Sequence, residues 1–207
     1  SPQSLDEMDK KARESTEKLL AISVRPISIN NKYDIESVLA LETKVFGEGF
    51  LGRDDLLLQL EYCRDGNINN AIGIFHKGKM VGFGICYLGG KWSSIDIDID
   101  PSFSDISDIG YIKTIIVDPS LQGRNIGQMI LSSMIHNARK IGNRQLLLHA
   151  WDGSPNDSSR LFFEKNGGRT VKIYKRKWYQ DSMENGWNCS KCGNPCECSS
   201  IEMIIDI

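Results

Sequence analysis

Hydrophobic positions along the chain recur at helical spacing in some stretches and alternately in others, and the changes of period divide it into elements. Residues 4–20 carry Leu5, Met8, Ala12, Leu19 and Leu20 among many charges, the pattern of a solvated N-terminal helix. Residues 24–29 read as a first strand. From Asp34, placed as an N-cap, the run Ile35, Val38, Leu39, Leu41 and Val45 is helical. Gly47, Gly49 and Gly52 break it, and residues 54–62 form a second helix. The period then shortens. Residues 71–75, the turn Lys77-Gly78-Lys79 and residues 80–88 predict a hairpin. Residues 94–100 alternate Ile95, Ile97 and Ile99 with Asp96, Asp98 and Asp100, predicting a half-buried strand or strand end. Residues 111–117 form a largely apolar strand that Asp118-Pro119 stops. Ile126, Met129, Ile130, Met134 and Ile135 mark one face of a helix over 126–139, ended by Gly142. A strand at 145–151, a helix at 157–165 closed by Gly167-Gly168, and strands at 170–179 and 200–207 complete the chain. No internal repeat is found. The order predicts an α/β fold: a single domain with a central mixed, mostly antiparallel twisted sheet flanked by helices.

Composition narrows the function classes. Hydrophobic residues at 40% and charged residues at 25% are globular proportions, not those of a disordered chain. A net charge of −2 and a pI near 5.9 give no reason to expect nucleic acid as a partner. No apolar run reaches the ~20 residues that span a bilayer, and the N-terminus lacks a basic-then-apolar signal pattern. The expected protein is soluble and cytoplasmic, with no membrane partner. Its oligomeric state is open.

The most informative segment is residues 117–127, Val-Asp-Pro-Ser-Leu-Gln-Gly-Arg-Asn-Ile-Gly, which joins a buried strand directly to an amphipathic helix. A loop in that place turns several backbone N–H groups, and the positive end of the helix dipole, toward one point. Gly123 and Gly127 keep side chains out of the way, and Arg124 adds a cation. Neither G-x-x-x-x-G-K-[ST] nor G-x-G-x-x-G occurs, which sets aside the best-known nucleotide loops. A tight turn with close helix packing is the alternative reading of the same glycines.

With Val117, Pro119, Gln122, Ile126 and Gly127 in place, the segment resembles the Q/R-x-x-G-x-G/A motif of the GNAT N-acetyltransferase superfamily. Asn125 stands where the first motif glycine belongs, and asparagine tolerates unusual backbone angles better than most residues. Residues 156–167, Asn-Asp-Ser-Ser-Arg-Leu-Phe-Phe-Glu-Lys-Asn-Gly, resemble the family's N-x-x-A-x-x-[LF]-Y-x-K-x-G-F segment, with Ser159 for Ala, Phe163 for Tyr and Gly168 for Phe. The resemblance implies a GNAT-like domain over 23–207, a helical extension over 1–22, and acetyl-CoA as co-substrate. The coenzyme pyrophosphate would lie on Gln122, Gly123, Arg124, Asn125, Ile126, Gly127 and Gln128. The pantetheine arm would pair with Ile115, Ile116 and Val117, whose amide polarises the thioester carbonyl. Asn156, Ser159, Phe162, Phe163 and Lys165 would close the other side.

The reaction implied is transfer of the acetyl group to a primary amine, by direct attack in a ternary complex. The amine must lose a proton before it attacks. His149 and Asp108 are the candidate bases; a histidine paired within the sheet is the alternative for the first. Tyr174 is the substitute acid, because Phe163 occupies the position of the family's usual tyrosine and has no proton to give. Asp96, Asp98, Asp100, Asp105 and Asp108 either attract a cationic acceptor or form a solvated strand face. Phe46 and Phe50 lie in the loop that commonly lines the acceptor site. Lys177-Trp-Tyr-Gln-Asp181 with Glu202-Met-Ile-Ile resembles the ending of ribosomal-protein and protein N-terminal acetyltransferases, and of some polyamine acetyltransferases. The expected acceptor is therefore a peptide N-terminus, a lysine or a polyamine. The alternative is a non-catalytic module of this fold that binds acetyl-CoA or docks a protein.

Two of the six cysteines, Cys63 and Cys86, lie in apolar stretches as ordinary buried thiols. Cys189, Cys192, Cys196 and Cys198 fall within ten residues, inside an insertion at 186–200 in the last hairpin. Disulfides between such near neighbours would be strained, and four thiolates suffice for tetrahedral zinc. An iron–sulfur cluster and unligated thiols are the alternatives. A structural zinc pinning an extended turn beside the acceptor groove is the reading carried forward.

Overall fold

The structure, a computed structural model, describes residues 21–207 together with Ser4, Glu7, Met8, Lys10, Lys11, Ala12 and Glu14. The helix expected over 4–20 lies mostly outside these residues; the seven described within it are helical and exposed.

The chain runs β1 (Ile22–Pro26), α1 (Lys32–Phe46), α2 (Arg53–Tyr62), β2 (Arg64–Asp65), β3 (Ile68–Asn69), β4 (Ala71–His76), β5 (Lys79–Tyr87) and β6 (Ile109–Val117). It continues α3 (Ile126–Lys140), β7 (Gln145–Trp151), α4 (Ser158–Lys165), β8 (Arg169–Tyr174), α5 (Tyr179–Asn185) and β9 (Ser200–Asp206). Seven strands form one sheet in the order β1-β4-β5-β6-β7-β9-β8. Every neighbouring pair is antiparallel except β6 and β7. This is the α/β single domain with a mixed, mostly antiparallel sheet that the patterning predicts.

Alternation along the strands gives the sheet two apolar faces. Ile35, Val38 and Leu41 of α1 and Leu56 and Leu60 of α2 pack with Phe83, Ile85, Tyr111 and Leu147 on one. Ile126, Ile130 and Met134 of α3 and Phe163 of α4 pack with Ile74, Ile112, Leu148 and Met203 on the other. Gly84 is what lets α3 approach: a Cβ there would lie 2.4 Å from Ile130 and 2.2 Å from Met134. Cys63 and Cys86 are fully buried, as expected.

Three readings need correction, and one element was missed. Asn31, not Asp34, caps α1: its side chain accepts from the Asp34 N–H. Asp34 is buried instead, and its carboxylate takes both nitrogens of Arg25 at 2.8 and 2.9 Å. Residues 94–100 keep their alternation, with half-buried isoleucines and aspartates more open to solvent, but pair with no strand. The apolar side chains suffice to seat this segment on the core without a ladder. The strand expected at 170–179 ends at Tyr174, where the chain turns and winds into α5. The short β2–β3 hairpin was not foreseen, because two-residue strands leave no period to read.

Candidate functional site

The site begins where β6 and β7 part. The parallel pairing runs only from Ile109↔Gln145 to Ile112↔Leu148. Beyond it β6 continues on β5 and β7 continues on β9, so the two strands diverge. The β6 edge from Lys113 to Val117 that faces the gap has no strand partner. The β5–β6 register also slips by one residue here: Cys86 faces Ile112 and Ile85 faces Thr114, leaving Lys113 as a bulge. Bulges of this kind re-aim side chains, and Lys113 and Thr114 both reach the cavities described next.

A larger cavity of about 470 Å³ fills the wedge on the α3–α4 side. Its size suits a small-molecule ligand. Its floor is the free edge of β6, and one end is the loop before α3. Asp118 holds that loop: its carboxylate accepts from the Ser120 N–H at 3.0 Å and hydroxyl at 2.8 Å, and from Lys44 at 3.1 Å. These hydrogen bonds, the Ser120 N–H foremost, keep the carboxyl below the usual range against the opposing effect of burial. Asn125 takes φ 61°, the left-handed conformation a motif glycine would adopt. The N–H groups of residues 123–128 have no acceptor among the described residues. They form a row of donors at a helix N-terminus, facing the cavity.

Of the residues expected to touch the coenzyme, Ile115, Ile116, Val117, Gln122, Gly123, Asn125, Ile126, Gly127, Gln128, Ser159, Phe162, Phe163 and Lys165 all line this cavity. Arg124 and Asn156 do not. Arg124 is exposed, and Asn156 sits at φ 54° in the turn before α4, where the cavity wall is Ser154, Pro155 and Ser158.

A smaller cavity of about 200 Å³ opens on the α1 side of the same gap. The two share Phe46, Lys113, Thr114, His149 and Trp151. Aromatic rings form much of its wall: Phe46 lies 4.7 Å from Phe50 and 5.7 Å from Trp151, and Phe50 lies 5.5 Å from Trp187, centroid to centroid. Asp96, Asp98, Lys177 and Tyr111 complete it, with Cys189, Ser190 and Cys196 from the cysteine segment.

The three expected catalytic residues fare differently. His149 lines both cavities. Its Nε2 lies 2.7 Å from the Asp98 carbonyl, which can only accept, so the proton is on Nε2 and Nδ1 accepts from the Ser200 hydroxyl at 2.6 Å. Burial lowers its pKa below the ordinary 6.5. Tyr174 lines neither cavity; its hydroxyl donates to buried Glu202 at 2.7 Å. Asp108 precedes the other end of β6 and faces Arg144 at 3.9 Å. Five residues of extended strand put it ~16 Å from Lys113, where the gap opens, and it lines neither cavity.

Sequence reading missed three groups. Tyr111 lines the smaller cavity and its hydroxyl has no hydrogen-bond partner among the described residues. Lys113 lines both cavities, is open to solvent, and likewise has no ion-pair partner among the described residues. Glu42 is 2% exposed, and its Oε2 has no partner. Burial raises its pKa from 4.5 to about 7, with the Lys113 ammonium opposing the rise. Only the helical position of Glu42, one turn before Phe46, carried any hint of this.

The four cysteine sulfurs lie within 4.8 Å of one another. Cys192 is 3.6 Å from Cys198 and 3.7 Å from Cys196, and Cys189 is 3.8 Å from Cys198. A zinc–sulfur bond of 2.3 Å implies a tetrahedral edge of ~3.8 Å, so the donor set fits zinc. Among the described residues no helix is long and apolar enough to cross a membrane.

Comparison with known proteins places this geometry. A model of the Acetyltransferase (GNAT) family matches residues 35–168. No curated protein matches the chain. Among solved structures, the ribosomal-protein-S18-alanine N-acetyltransferase of Escherichia coli aligns with a TM-score of 0.60 at 15% identity, over 90% of this chain and 94% of that one. Arabidopsis thaliana Naa50, solved with the bisubstrate analogue CoA-Ac-MVNAL, gives 0.58 at 13% over 90% and 99%. PaiA N-acetyltransferase of Thermoplasma acidophilum, solved with coenzyme A, gives 0.57 at 14% over 90% and 99%.

Proposed function

The chain belongs to the GNAT acetyltransferase family, and from that premise we propose that it transfers the acetyl group of acetyl-CoA to a primary amine in a ternary complex. The observation that carries this is the meeting of two cavities at one gap in the sheet, the larger ending on a row of free N–H groups. Phosphate oxygens on that row would satisfy donors that otherwise lack partners, with the helix dipole adding to the attraction. The free edge of β6 offers strand-like pairing to the amides of a pantetheine arm, and its N–H groups are the donors available to a thioester oxygen.

The amine reaches the thioester through the smaller cavity. His149, neutral and accepting at Nδ1, is the proton acceptor of this reading; Ser200 releases Nδ1 by rotating its hydroxyl. The leaving thiolate departs unprotonated or takes its proton from the unpartnered Tyr111 hydroxyl. Peptide N-termini, lysine and polyamines remain the acceptor classes. The aromatic wall and Asp96 favour a cationic amine carried on a compact, partly apolar group, Asp98 being paired already with Lys177. The four cysteines hold zinc, closed to substrate because all four positions are taken.

Thiol release from acetyl-CoA, with mass spectrometry of products, tests the reading on an unblocked pentapeptide, an Nα-blocked lysine and spermidine. Acetylation of at least one is expected. Coenzyme A binding without turnover of any probe would replace it with a non-catalytic module. If His149 is the base, kcat/KM rises with pH through a pKa below 6.5, and His149→Gln removes that rise.

A further inference from the structure

Between Trp187 and Ser199 the chain forms a compact knot with few bonds of its own. Its backbone pairs with itself only across Cys189 and Gly193, at 2.9 and 2.8 Å. Within it the Asn194 side chain also donates to the Trp187 carbonyl and the Glu197 N–H to Cys192 Sγ, both at 3.2 Å, and the other bonds come from outside. Cys196 N–H donates to the buried Ser182 hydroxyl of α5 at 2.8 Å, and the Asn194 side chain donates to the Ser182 carbonyl at 2.8 Å. On the opposite side the Ser190 hydroxyl donates to the Val45 carbonyl at 3.0 Å. Next to that bond the Asn188 carbonyl approaches Gly47 so closely that a Cβ there would sit at 2.5 Å. The knot is therefore clamped between α5 and the C-terminal end of α1, and its own cohesion rests on four sulfurs at tetrahedral spacing.

The same knot supplies Trp187, Cys189, Ser190 and Cys196 to the smaller cavity, and none of its residues lines the larger one. Cys189, Cys196, Cys198 and Trp187 form one apolar cluster, against which Phe50, Trp151 and Trp178 pack. The sulfurs and the aromatic wall are thus one body. We propose that zinc bound by Cys189, Cys192, Cys196 and Cys198 shapes the amine cavity, so that metal occupancy governs binding of the acceptor and leaves binding of coenzyme A unchanged. This rests on the acetyl-transfer reading for the identity of the two ligands. Without the metal, like-charged or crowded thiols no longer hold the knot together, Trp187 loses its backing, and the wall opposite Asp96 and Asp98 opens. The N–H row and the β6 edge lie on other elements and keep their places.

The experiment uses the full chain. A mercurial with a chromogenic chelator should release about one zinc per chain, since one site of four thiolates is present. Cys192→Ser, at the exposed ligand, should abolish zinc. It should leave coenzyme A affinity within about 2-fold by calorimetry and raise KM for the acetylated probe about 10-fold or more. Trp187→Ala should retain zinc and raise the same KM, which decides the matter should Cys192→Ser fail to fold. Absence of metal, an unchanged KM in Trp187→Ala, or coenzyme affinity falling in step with KM would overturn the proposal. Should no probe be acetylated, the acetyl-transfer reading falls alone. Acrylamide quenching of tryptophan fluorescence with coenzyme A present then decides: it rises on zinc release if the wall depends on the metal, and stays constant if it does not.

Discussion

The larger and smaller cavities share a wall, yet they are built in different ways. The larger draws most of its lining from strand β6, the loop that follows it, and the turn and helix of residues 154–165. Beside polar side chains such as Gln122, Ser159 and Lys165 it offers a row of backbone N–H groups, fixed by where a strand ends and a helix starts. The smaller gathers side chains from α1 and its following loop, from 96–98, from β6 and β7, from 177–178, and from the cysteine knot. A site made of backbone tolerates changes of side chain and leaves a short motif. One made of side chains depends on the whole topology and leaves no motif.

The comparison can be broken most forcefully at Gly127. A Cβ there would meet Phe162 at 3.6 Å, an ordinary contact, so the fold accepts a side chain. Gly127→Glu should therefore melt within a few degrees of the parent while weakening coenzyme A about 100-fold, since like charges brought together cost several kcal/mol. Calorimetric titration with coenzyme A measures this. A change under about 3-fold would mean that no phosphate approaches the row.

Glu42 lines neither cavity but faces Lys113, which lines both, and so tests what lies behind the side-chain half. Its carboxyl is raised from 4.5 to about 7 by burial. A group raised in the folded state contributes stability that is complete below the unfolded pKa and lost as pH climbs through the folded one. Between pH 4.5 and 8 the wild type should lose about 2–3 kcal/mol relative to Glu42→Gln. Urea unfolding of both proteins at pH 5 and pH 8 reads the difference. Parallel pH dependence would show that Glu42 ionises freely.

How much of this was legible follows the same division. Residues 117–127 were legible as a strand-to-helix loop because a strand, a proline and spaced glycines are local facts, and Gln145–Trp151 was found to the residue. The alternation of Ile95, Ile97 and Ile99 was equally clear but marked burial without pairing, since a period of two reports which face is apolar and says nothing of a neighbouring strand. Asp108 and Tyr174 were attractive as chemistry and misplaced in space. The first lies at the wrong end of β6, the second under a carboxylate across the sheet. Tyr111 and Lys113 gave no signal and Glu42 only its helical position, because a bulge in β6 and the packing of α1 decide what they face.

Tyr174→Phe separates structure from chemistry at one of these positions. The hydroxyl satisfies Glu202, fully buried, which also accepts from the Asp100 N–H at 3.0 and 3.1 Å. Losing one of its donors should cost about 1–2 kcal/mol of stability, by thermal or urea unfolding. Because Tyr174 lines neither cavity, kcat should stay within about 2-fold of the parent. A large fall in kcat with full stability would restore it as the acid.

The smallest effect is at Asn125, where this chain departs from the glycine of the motif it resembles. The residue is exposed, at φ 61° and ψ 16°, and its side chain caps nothing. What the position needs is the left-handed backbone, which turns the following N–H groups into the cavity. Asparagine adopts it at modest cost and glycine at none, while glycine adds entropy to the unfolded chain. These two effects oppose each other, so Asn125→Gly should shift stability by less than ~1 kcal/mol and leave coenzyme A affinity within about 2-fold. Valine shares the size of asparagine but resists positive φ. Asn125→Val should weaken coenzyme A about 10-fold, the 1–2 kcal/mol of left-handed strain being relieved by turning the loop away. Equal affinities for glycine and valine would mean that the donor row does not depend on this backbone angle, and the larger cavity would then owe its ligand to side chains, as the smaller one does.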